Sequence, residues 1–381
     1  MKILLLGDYS NVHATLAEGL RALGHDVVVA SDGDGWKDYP RDVDLKRFGR
    51  VGSHSLWQRI LDAVYLVRLK WLFAHKFRGF DVVQLVNPVF LPLRAERIMP
   101  FYRTLRAHNK TMFMCAYGMD HYWVKAGLDC TTFRYSDFNL GSKVRDELPE
   151  NKYFVRDWLH GPKGVLNQQI AADCDGIPAG LYEYWASYRR YLPPEHQHKL
   201  TYIPFPIKCS EHKVTAHQAS ERVHFFIGIQ RMRSAYKGTD IMLRALERLE
   251  TERPAEVVVH KVESVPFDEY KRLMDSSDVI LDQLYSYTPA MNALQAMSQG
   301  LVVVGGAEPE YYELQGDDTR PIINVLPDED DVYAKLVWIV DHREELPHLK
   351  RDSRAFVCKY HDHIQVAKQY LYFWSAAPQQ K

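Results

Sequence analysis

Three cations fall in one predicted loop, within the stretch GIQRMRSAYKGTDIMLRAL at residues 228 to 246. They are Arg231, Arg233 and Lys237, and Gly238 follows them at the start of a predicted helix. Cations at the carboxyl end of a parallel strand, with a helix N-terminus behind them, suit a diphosphate, because side chains and free backbone N–H groups both attract negative charge. The alternative interpretation is a solvated basic loop without a ligand.

The stretch YSYTPAMNALQAMSQGLVVVGG, residues 285 to 306, predicts a second anion site by the same reasoning. Thr288 can cap a helix that ends at Gly300, and the proline that follows Thr288 suits the first helical position. The free N–H groups of residues 290 to 292, beginning with Ala290, would then point into a cleft. Many helices have such caps, so this pattern alone does not identify a ligand.

The elements that must position these loops alternate between strands and helices. KILLLG and DVVVAS are apolar runs on either side of a helical stretch, and this β-α-β unit predicts a parallel, doubly wound sheet. The alternation restarts at VHFFIGI, after a segment at 200–208 whose two prolines predict an interdomain linker. Open α/β sheets bind ligands at the carboxyl ends of their strands, so a cleft between two such sheets is the expected site.

We therefore predict an α/β protein with two Rossmann-like, doubly wound parallel-sheet domains that face a central cleft. The predicted domains are residues 1–203 and residues 204–360. A C-terminal helix at 361–381 is expected to return to the first domain.

Composition narrows the class of protein further. The 381 residues are 46% hydrophobic and 25% charged, with a formal net charge of −1, so nothing indicates the basic field that nucleic acid requires. The five cysteines are scattered without metal-ligand spacing, which is typical of reduced thiols. No run of about 18 apolar residues predicts a membrane span. We expect a cytoplasmic protein, with the inner face of the membrane as a possible location.

The order of motifs between about residues 200 and 345 resembles the C-terminal domain of GT-B glycosyltransferases, most closely the large retaining family 4 group. The matching pieces are G-x-x-R…KG-x-D-x-x-L-x-A-L, A-E-V-V-V, Y-x-x-L-M-x-x-S-D-V-I-L, A-L-x-A-M-x-x-G-x-V-V-V and P-E-Y-Y-E. The N-terminal half agrees in architecture and less in motifs. The resemblance implies transfer of a sugar from a nucleotide-sugar donor.

The resemblance also assigns roles to the basic loop. It implies that Lys237, with Arg231 or Arg233, neutralises the donor diphosphate. A phosphate oxygen would accept the proton of the acceptor hydroxyl, so that charge stabilisation and positioning dominate catalysis. The reaction then needs no metal and no cofactor besides the co-substrate.

The family's E-x7-E pattern falls on Tyr287 and Gln295, and neither residue is acidic. Gln295 keeps an amide oxygen that can accept hydrogen bonds from ribose hydroxyls, without the assistance of a charge. Tyr287 changes the contact that the family makes with the transferred sugar or its phosphate. The alternative for Gln295 is an ordinary polar residue on a helix face.

Two glutamates, Glu308 and Glu310, follow the last predicted strand, which ends at Gly306. A glycine there would allow the backbone to approach a sugar or phosphate, and one glutamate would bind the donor sugar or restore a missing carboxylate. The alternative is a glycine turn before a capped helix.

The first domain offers acceptor-side candidates in two loops. In CAYGMDHYW the family often has His-Gly-x-Asp, so Tyr117 takes the histidine position, Asp120 matches, and the neighbouring His121 is a candidate catalytic replacement. The alternative, a polar histidine satisfied by the protein itself, is the more common case. The loop GDYSNVH at 7–13 contributes the remaining acceptor-side candidates. These are Asp8, Asn11 and His13.

A basic, aromatic segment at 56–80 predicts peripheral contact with an anionic membrane surface. The alternative is a helix that packs into the core and leaves its basic edge in water. The segment at 128–165 has weak periodicity, and we interpret it as a lid or an acceptor-binding segment.

Together these features predict a retaining, metal-independent glycosyltransferase that acts on a glycan or lipid-linked acceptor in bacterial surface polysaccharide synthesis. The pathway rests on the resemblance alone. Two alternatives remain: a GT-B-like protein that binds a sugar or nucleotide without catalysis, and a nucleotide-sugar epimerase.

Overall fold

The computed structural model describes residues 1–49, 55–209, 221–230, 233–263 and 267–376. Within these ranges, strands and helices alternate as the apolar runs predict. The strands of the N-terminal half are β1 (Lys2–Leu6), β2 (Asp26–Ser31), β3 (Val43–Asp44), β4 (Val82–Leu85), β5 (Thr111–Met114), β6 (Asn139–Leu140), β7 (Lys143–Val144), β8 (Ile177–Ala179) and β9 (Leu200–Tyr202). Its helices are α1 (Val12–Ala22), α2 (Leu56–His75), α3 (Met99–His108), α4 (His121–Leu128), α5 (Pro149–Trp158), α6 (Pro162–Asp173) and α7 (Tyr182–Tyr191).

The C-terminal half repeats the pattern. Its strands are β10 (Val223–Ile229), β11 (Val257–Glu263), β12 (Val279–Leu281), β13 (Val302–Gly305) and β14 (Ile323–Asn324). Its helices are α8 (Ser234–Lys237), α9 (Thr239–Glu252), α10 (Phe267–Asp275), α11 (Met291–Ser298), α12 (Pro309–Gln315), α13 (Glu329–Asp341), α14 (Leu346–Tyr360) and α15 (His363–Ala376).

These strands build two parallel sheets of five strands each, in the orders β3-β2-β1-β4-β5 and β11-β10-β12-β13-β14. Residues 3 to 6 of β1 are all 0% exposed, because helices cover both faces of the first sheet. In the second sheet, the strand at 302–305 is buried along its whole length in the same way. The predicted fold class of two doubly wound parallel sheets is confirmed.

The structure corrects two predicted boundaries. The helix expected from Thr288 to Gly300 is shorter, running over Met291–Ser298 with Ala290 at its N-cap position. The predicted linker at 200–208 begins with β9, which pairs in parallel with β8. Leu200 and Tyr202 therefore belong to the sheet system of the N-terminal half, because a strand can satisfy its backbone groups there and a linker cannot.

The C-terminal helix α15 lies against α1. A Cβ atom on Gly19 of α1 would come within 2.2 Å of the His363 carbonyl oxygen, so the glycine lets the two backbones approach closely. Trp374 donates from Nε1 to Gln84 Oε1 at 3.2 Å. The helix thus packs on the first sheet, while the exact domain boundaries stay predictions.

Residues 129 to 151, which we call the bridge segment, leave the N-terminal half and pack into the core of the second sheet. Phe133, Tyr135 and Phe138 share one hydrophobic cluster with second-sheet residues such as Phe225 and Val304. Aromatic side chains bury large apolar areas, so this shared core ties the two halves together. The segment is the N-terminal part of the stretch 128–165 that the sequence analysis interpreted as a lid or an acceptor-binding segment.

No helix in the described ranges is long and apolar enough to cross a membrane.

Candidate functional site

The turn between α8 and α9 places Lys237 beside the second sheet. Gly238 has a φ of 75°, and a Cβ atom there would lie 2.8 Å from Leu284 Cβ. Glycine is therefore required by both the left-handed backbone and the close approach. Leu284 donates its N–H to the Lys237 carbonyl oxygen at 3.0 Å, which fixes Lys237 next to the carboxyl end of β12.

The Lys237 ammonium is half-buried and forms no hydrogen bond or ion pair with any described residue. Burial lowers its pKa, and the carboxylate of nearby Asp282 opposes that shift. Burial likewise raises the pKa of Asp282, which Lys237 partly offsets. A cation shielded from water without a direct partner is unfavourable, so an anionic ligand at this position would be stabilised.

A short hydrogen-bond chain sets the N-terminus of α11 close to this lysine. Asn292 Nδ2 donates to Asp282 Oδ1 at 3.1 Å, and the Tyr270 hydroxyl donates to Asn292 Oδ1 at 2.9 Å. Residues 290 to 292 are half-buried, and their backbone N–H groups make no hydrogen bond to the described residues. Ala290 therefore lies in a helix N-terminus that can accept negative charge.

The remaining cations of the loop are less constrained. Arg233 is exposed, and its guanidinium lies 5.0 Å from the centre of the Tyr236 ring. Arg231 lies outside the described residues. Arg145 of the bridge segment is buried and donates to the Ala235 carbonyl oxygen at 2.7 Å, so it fixes α8 from the opposite side. Lys237 is thus the cation that the fold positions best.

Tyr287 lies in an aromatic cluster. It is 2% exposed, and its ring stacks on Tyr182 at a centroid distance of 5.7 Å. The backbone N–H of Arg134 donates to the Tyr287 hydroxyl at 2.7 Å. Burial raises the pKa of Tyr287 to about 12. The Tyr287 side chain is therefore held by contacts within the protein. In the E-x7-E pattern, the same position carries a carboxylate that faces the donor.

Thr288 does not cap α11, which corrects the sequence prediction. Its Oγ1 accepts the N–H of Tyr182 at 3.1 Å. The buried carboxylate of Glu183 accepts the N–H groups of Tyr287 at 2.5 Å and Thr288 at 3.1 Å. An acidic side chain from α7 has therefore already satisfied the two donors that precede Pro289, and only the N–H groups from residue 290 onward remain available.

Gln295 lies half-buried on α11, one turn beyond Asn292. Its Nε2 donates to Ser298 Oγ at 3.4 Å. The side-chain amides of Asn292 and Gln295 lie on the same face of α11, since the two residues are three positions apart. The N-terminal end of this face is near Lys237. The ribose-binding role of Gln295 stays a prediction.

Glu308 and Glu310 are joined to the bridge segment. Arg134 donates to Glu308 Oε2 at 2.7 Å and also to the Glu310 carboxylate. The Tyr135 hydroxyl and Asn324 Nδ2 donate to Glu308 Oε1, the latter at 3.0 Å. Burial raises the pKa of Glu310, but the Arg134 hydrogen bonds outweigh it and the net shift is downward. Both glutamates therefore bind a protein cation in this structure.

Gly306 is explained by packing within the protein. A Cβ atom there would lie 1.8 Å from the Ser286 carbonyl oxygen. A close approach between two backbone segments therefore requires glycine here, and the approach of a sugar or phosphate to Gly306 stays a prediction.

Asp8 and His13 stabilise the start of α1. The Asp8 carboxylate accepts the N–H groups of His13 at 3.0 Å and Ala14 at 3.1 Å, while burial raises its pKa to about 7. His13 donates from Nδ1 to the Gly7 carbonyl oxygen at 2.7 Å, so its Nε2 accepts from Gln84 at 3.2 Å. Burial lowers the His13 pKa to about 4, which makes this histidine neutral at neutral pH.

Asn11 precedes α1 with a left-handed backbone, φ 67°. Its Nδ2 donates to Thr15 Oγ1 at 3.3 Å. Its Oδ1 is buried and has no hydrogen-bond partner among the described residues. Of the predicted acceptor-side residues in this loop, Asn11 alone keeps a polar atom that the protein does not use.

The second acceptor-side loop is also used for packing. The Tyr117 hydroxyl bonds to the Tyr370 hydroxyl of α15. Asp120 caps α4 by accepting the N–H of Trp123 and the Tyr188 hydroxyl, each at 2.8 Å, and burial raises its pKa to about 7. His121 Nδ1 donates to the Trp158 carbonyl oxygen at 2.9 Å. Burial lowers the pKa of His121, so a satisfied polar histidine describes it well.

The sequence analysis missed several residues that build this site. They are Arg134, Glu183, Asp282 and Asn292. Asp282 had a usable signal, because it directly follows the buried strand VIL at its carboxyl end. Arg134 and Glu183 had none, since their partners lie 174 and 105 residues away in the chain.

A concavity of about 780 Å³ lies between β9 and α15, away from Lys237. It is lined by polar and aromatic side chains such as Lys199, Gln369 and Tyr372. We assign the ligand site to the surroundings of Lys237 instead, because parallel sheets bind ligands at the carboxyl ends of their strands. Among the described residues, no group of three or more His, Cys, Asp or Glu side chains is placed to hold a metal ion.

No protein-family model matches the sequence, and no curated protein matches it. Solved structures do match. Sucrose-phosphate synthase from Thermosynechococcus elongatus is 13% identical, with a TM-score of 0.64 and 98% of each chain covered. HepE of Anabaena, in complex with UDP and glucose, is 12% identical, with a TM-score of 0.58 over 99% of this chain and 100% of that chain.

UDP-GlcNAc 2-epimerase from Neisseria meningitidis, bound to UDP-GlcNAc, is 12% identical, with a TM-score of 0.55 over 98% of this chain and 99% of that chain. Identity this low shows the fold and not the reaction. Near-complete coverage of each chain, together with two parallel sheets and a C-terminal helix that returns to the first sheet, shows that this chain has the GT-B fold.

Proposed function

We propose that the chain is a retaining, metal-independent glycosyltransferase that moves a sugar from a nucleotide-sugar to a glycan or lipid-linked acceptor, in bacterial surface polysaccharide synthesis. One observation carries the proposal. The half-buried Lys237 ammonium, without a direct partner among the described residues, lies beside the free N-terminus of α11. HepE, which has the same fold, is known in complex with UDP-glucose.

The chemistry follows from where negative charge develops. As the bond between the sugar C1 and the phosphate oxygen breaks, the leaving diphosphate gains charge that Lys237 and the N–H groups of residues 290 to 292 stabilise. The acceptor oxygen forms its bond to C1 on the same face, and its proton passes to the phosphate oxygen. Asp282 and Asn292 contribute by holding the lysine and the helix in position.

A protein that binds a nucleotide-sugar without transferring the sugar is the second candidate. Glu308 and Glu310, which follow β13 in the sequence, are both bound by Arg134. The E-x7-E positions are Tyr287 and Gln295, so no carboxylate at them contacts a donor. This arrangement allows binding at Lys237 while removing contacts that a sugar needs for transfer.

A panel of nucleotides and nucleotide-sugars in a thermal-shift assay tests the diphosphate site. We expect a UDP- or GDP-linked compound to raise the melting temperature, and Lys237→Ala to lower the affinity by about 10- to 100-fold, because a charged hydrogen bond contributes about 1.5–3 kcal/mol. The matched control is Lys335→Ala, which changes an exposed lysine of the same half. An equal shift in wild type and Lys237→Ala would contradict the assignment.

Donor turnover separates the candidate functions. Sugar transfer or slow donor hydrolysis supports the transferase, whereas binding without turnover of any donor, acceptors included, supports the binding protein. Interconversion of a nucleotide-sugar in the absence of acceptor would indicate an epimerase, a reaction named for another protein with this fold.

A further inference from the structure

Helix α2 exposes a continuous apolar stripe. The α2 stripe consists of Leu56, Trp57, Ile60, Val64, Val67 and Trp71, with exposures of 73%, 69%, 46%, 52%, 68% and 51%. From Trp57 onward these residues recur at spacings of three and four, which places them along one side of the helix. Isolated exposed apolar residues are ordinary, but six on one helix form a patch that marks an interaction surface.

The core does not explain the stripe. Tyr65, Leu69 and Leu72 line the opposite face of α2 and are buried in the first-sheet cluster. Helix α2 is therefore apolar on two faces, and the described part of the chain buries one of them. This is the reason that the segment shows little helical periodicity in its sequence.

Cations border the α2 stripe. Arg59 and Lys70 are eleven residues apart, about three helical turns, so they lie on the same edge of it. Lys76 follows at the C-terminal end of the helix, with its ammonium 6.0 Å from the centre of the Trp71 ring. None of these three cations forms an ion pair with a described carboxylate. Asp62, the one acidic residue of α2, pairs with Arg47 at 2.6 Å.

We propose that the α2 stripe docks on the surface of an anionic lipid bilayer. The apolar side chains would enter the boundary between headgroups and acyl chains, Trp57 and Trp71 would lie at headgroup level, and the bordering cations would contact lipid phosphates. A second copy of the chain fits less well, because two cation-bordered stripes would place like charges opposite each other in a symmetric pairing.

Docking would also orient the cleft. Strands β3 and β4 lie in the same parallel sheet, so the helix that connects them runs antiparallel to both. Trp57, at the start of α2, is therefore at the carboxyl edge of the first sheet, the edge that faces the cleft. Resting on the proposed function, we infer that the acceptor is a glycan anchored in the same membrane.

Vesicle co-sedimentation of the full chain tests the docking surface. We expect binding to phosphatidylcholine–phosphatidylglycerol vesicles, weaker binding to phosphatidylcholine alone, and loss of binding as salt rises. Val67→Glu places a carboxylate in the exposed stripe without touching the core, and we expect it to weaken vesicle binding about tenfold or more. The matched control is Tyr372→Glu, since Tyr372 is 79% exposed and lies on α15.

Two results would overturn the proposal. One is wild-type binding no stronger than that of Val67→Glu. The other is a dimer in analytical ultracentrifugation that Val67→Glu dissociates, without any vesicle binding. Docking is measured without nucleotide, so its failure leaves the Lys237 assignment intact. Failure of nucleotide binding would remove the proposed function and leave the docking result standing.

Discussion

The loops that follow β1 and β10 occupy equivalent places in the two sheets and differ in what they offer a ligand. In the first sheet, Asp8 accepts the N–H groups at the start of α1, so the protein fills that helix N-terminus with its own carboxylate. In the second sheet, no described side chain caps α9, and the loop presents Lys237 and Arg233. The connection after the first strand of each sheet thus has a closed helix start in one half and a cationic, open one in the other.

The difference shows which half is better suited to the proposed diphosphate. A helix start that already holds a carboxylate repels a second anion, whereas a lysine half-shielded from water attracts one. The same reasoning applies near α11. There the Glu183 carboxylate accepts the N–H groups of residues 287 and 288, whereas the N–H groups from residue 290 onward stay available to a ligand. Substitutions in the two halves can test whether the closed and the open helix start differ in this way.

Replacing Asp8 should separate stability from binding. Asp8→Ala leaves two N–H groups of α1 buried without an acceptor, and we expect the free energy of unfolding to fall by about 1–3 kcal/mol. The nucleotide affinity of Asp8→Ala should stay at the wild-type value, whereas that of Lys237→Ala should fall. Chemical denaturation and nucleotide titration measure the two quantities. A large loss of affinity in Asp8→Ala with unchanged stability would remove the contrast between the loops.

Removing the Arg134 ion pairs, which join the bridge segment to the second half, should lower the free energy of unfolding slightly less than Asp8→Ala does. Arg134→Ala leaves Glu308, whose side chain is 6% exposed, without its cation, and we expect a loss of about 1–2 kcal/mol, reduced because the Arg134 side chain is 54% exposed. Denaturant melts measure this loss. Arg134→Lys, which keeps the charge but cannot bridge two carboxylates, should be intermediate. Wild-type stability in Arg134→Ala would show that the bridge segment is held by its aromatic side chains alone.

The titration of His13 refines the role of the first loop. Its pKa of about 4 lies below the ordinary 6.5, so the stability it contributes is present above pH 6.5 and is lost as pH falls toward 4. The stability margin of wild type over His13→Gln should narrow by about 1 kcal/mol between pH 7 and 5.5. Denaturation at a series of pH values checks this.

The control for that titration is Leu326→Ala, which removes no titratable group from a side chain that is 47% exposed. The stability margin of wild type over this variant should not change over the same pH range. If the margin of His13→Gln were also constant, the buried, neutral histidine inferred here would be wrong.

The smallest effect concerns the second cation of the basic loop. Arg233 is exposed and rests on Tyr236, so Arg233→Ala should weaken nucleotide binding by about threefold or less. Isothermal titration with the nucleotide that Lys237 recognises would measure it. A loss as large as that of Lys237→Ala would mean that the whole loop, and not one shielded lysine, binds the ligand.

The sequence was a good guide to the two sheets, because continuous apolar runs such as residues 2–6 and 302–305 are typical of strands buried on both faces. It also placed Gly238 at the start of a helix, where the structure has it at the N-cap of α9. Lys237 was expected in a loop and instead ends the short helix α8. The cap at Thr288 was wrong because Glu183, from α7, competes for the same backbone groups. Contacts of that range leave no periodic trace in a single sequence.

The bridge segment shows the same limit from the other side. Its aromatic residues were visible, but nothing local indicated that Phe133 and Tyr135 belong to the core of the second sheet. Likewise, α2 has apolar residues on two faces, which weakens the helical periodicity of its sequence. The buried face could be told from the exposed face only once the fold was known. In both cases the partner, and not the residue type, decided the role.

The bridge segment also decides how the chain can be divided. Residues that are N-terminal in the sequence complete the hydrophobic interior of the C-terminal sheet, through Phe138 and the Tyr135–Glu308 contact. A cut at the proline linker would therefore strip each fragment of part of its interior. We therefore expect the whole chain to unfold as one cooperative unit, and separately expressed halves to expose aromatic surface and aggregate.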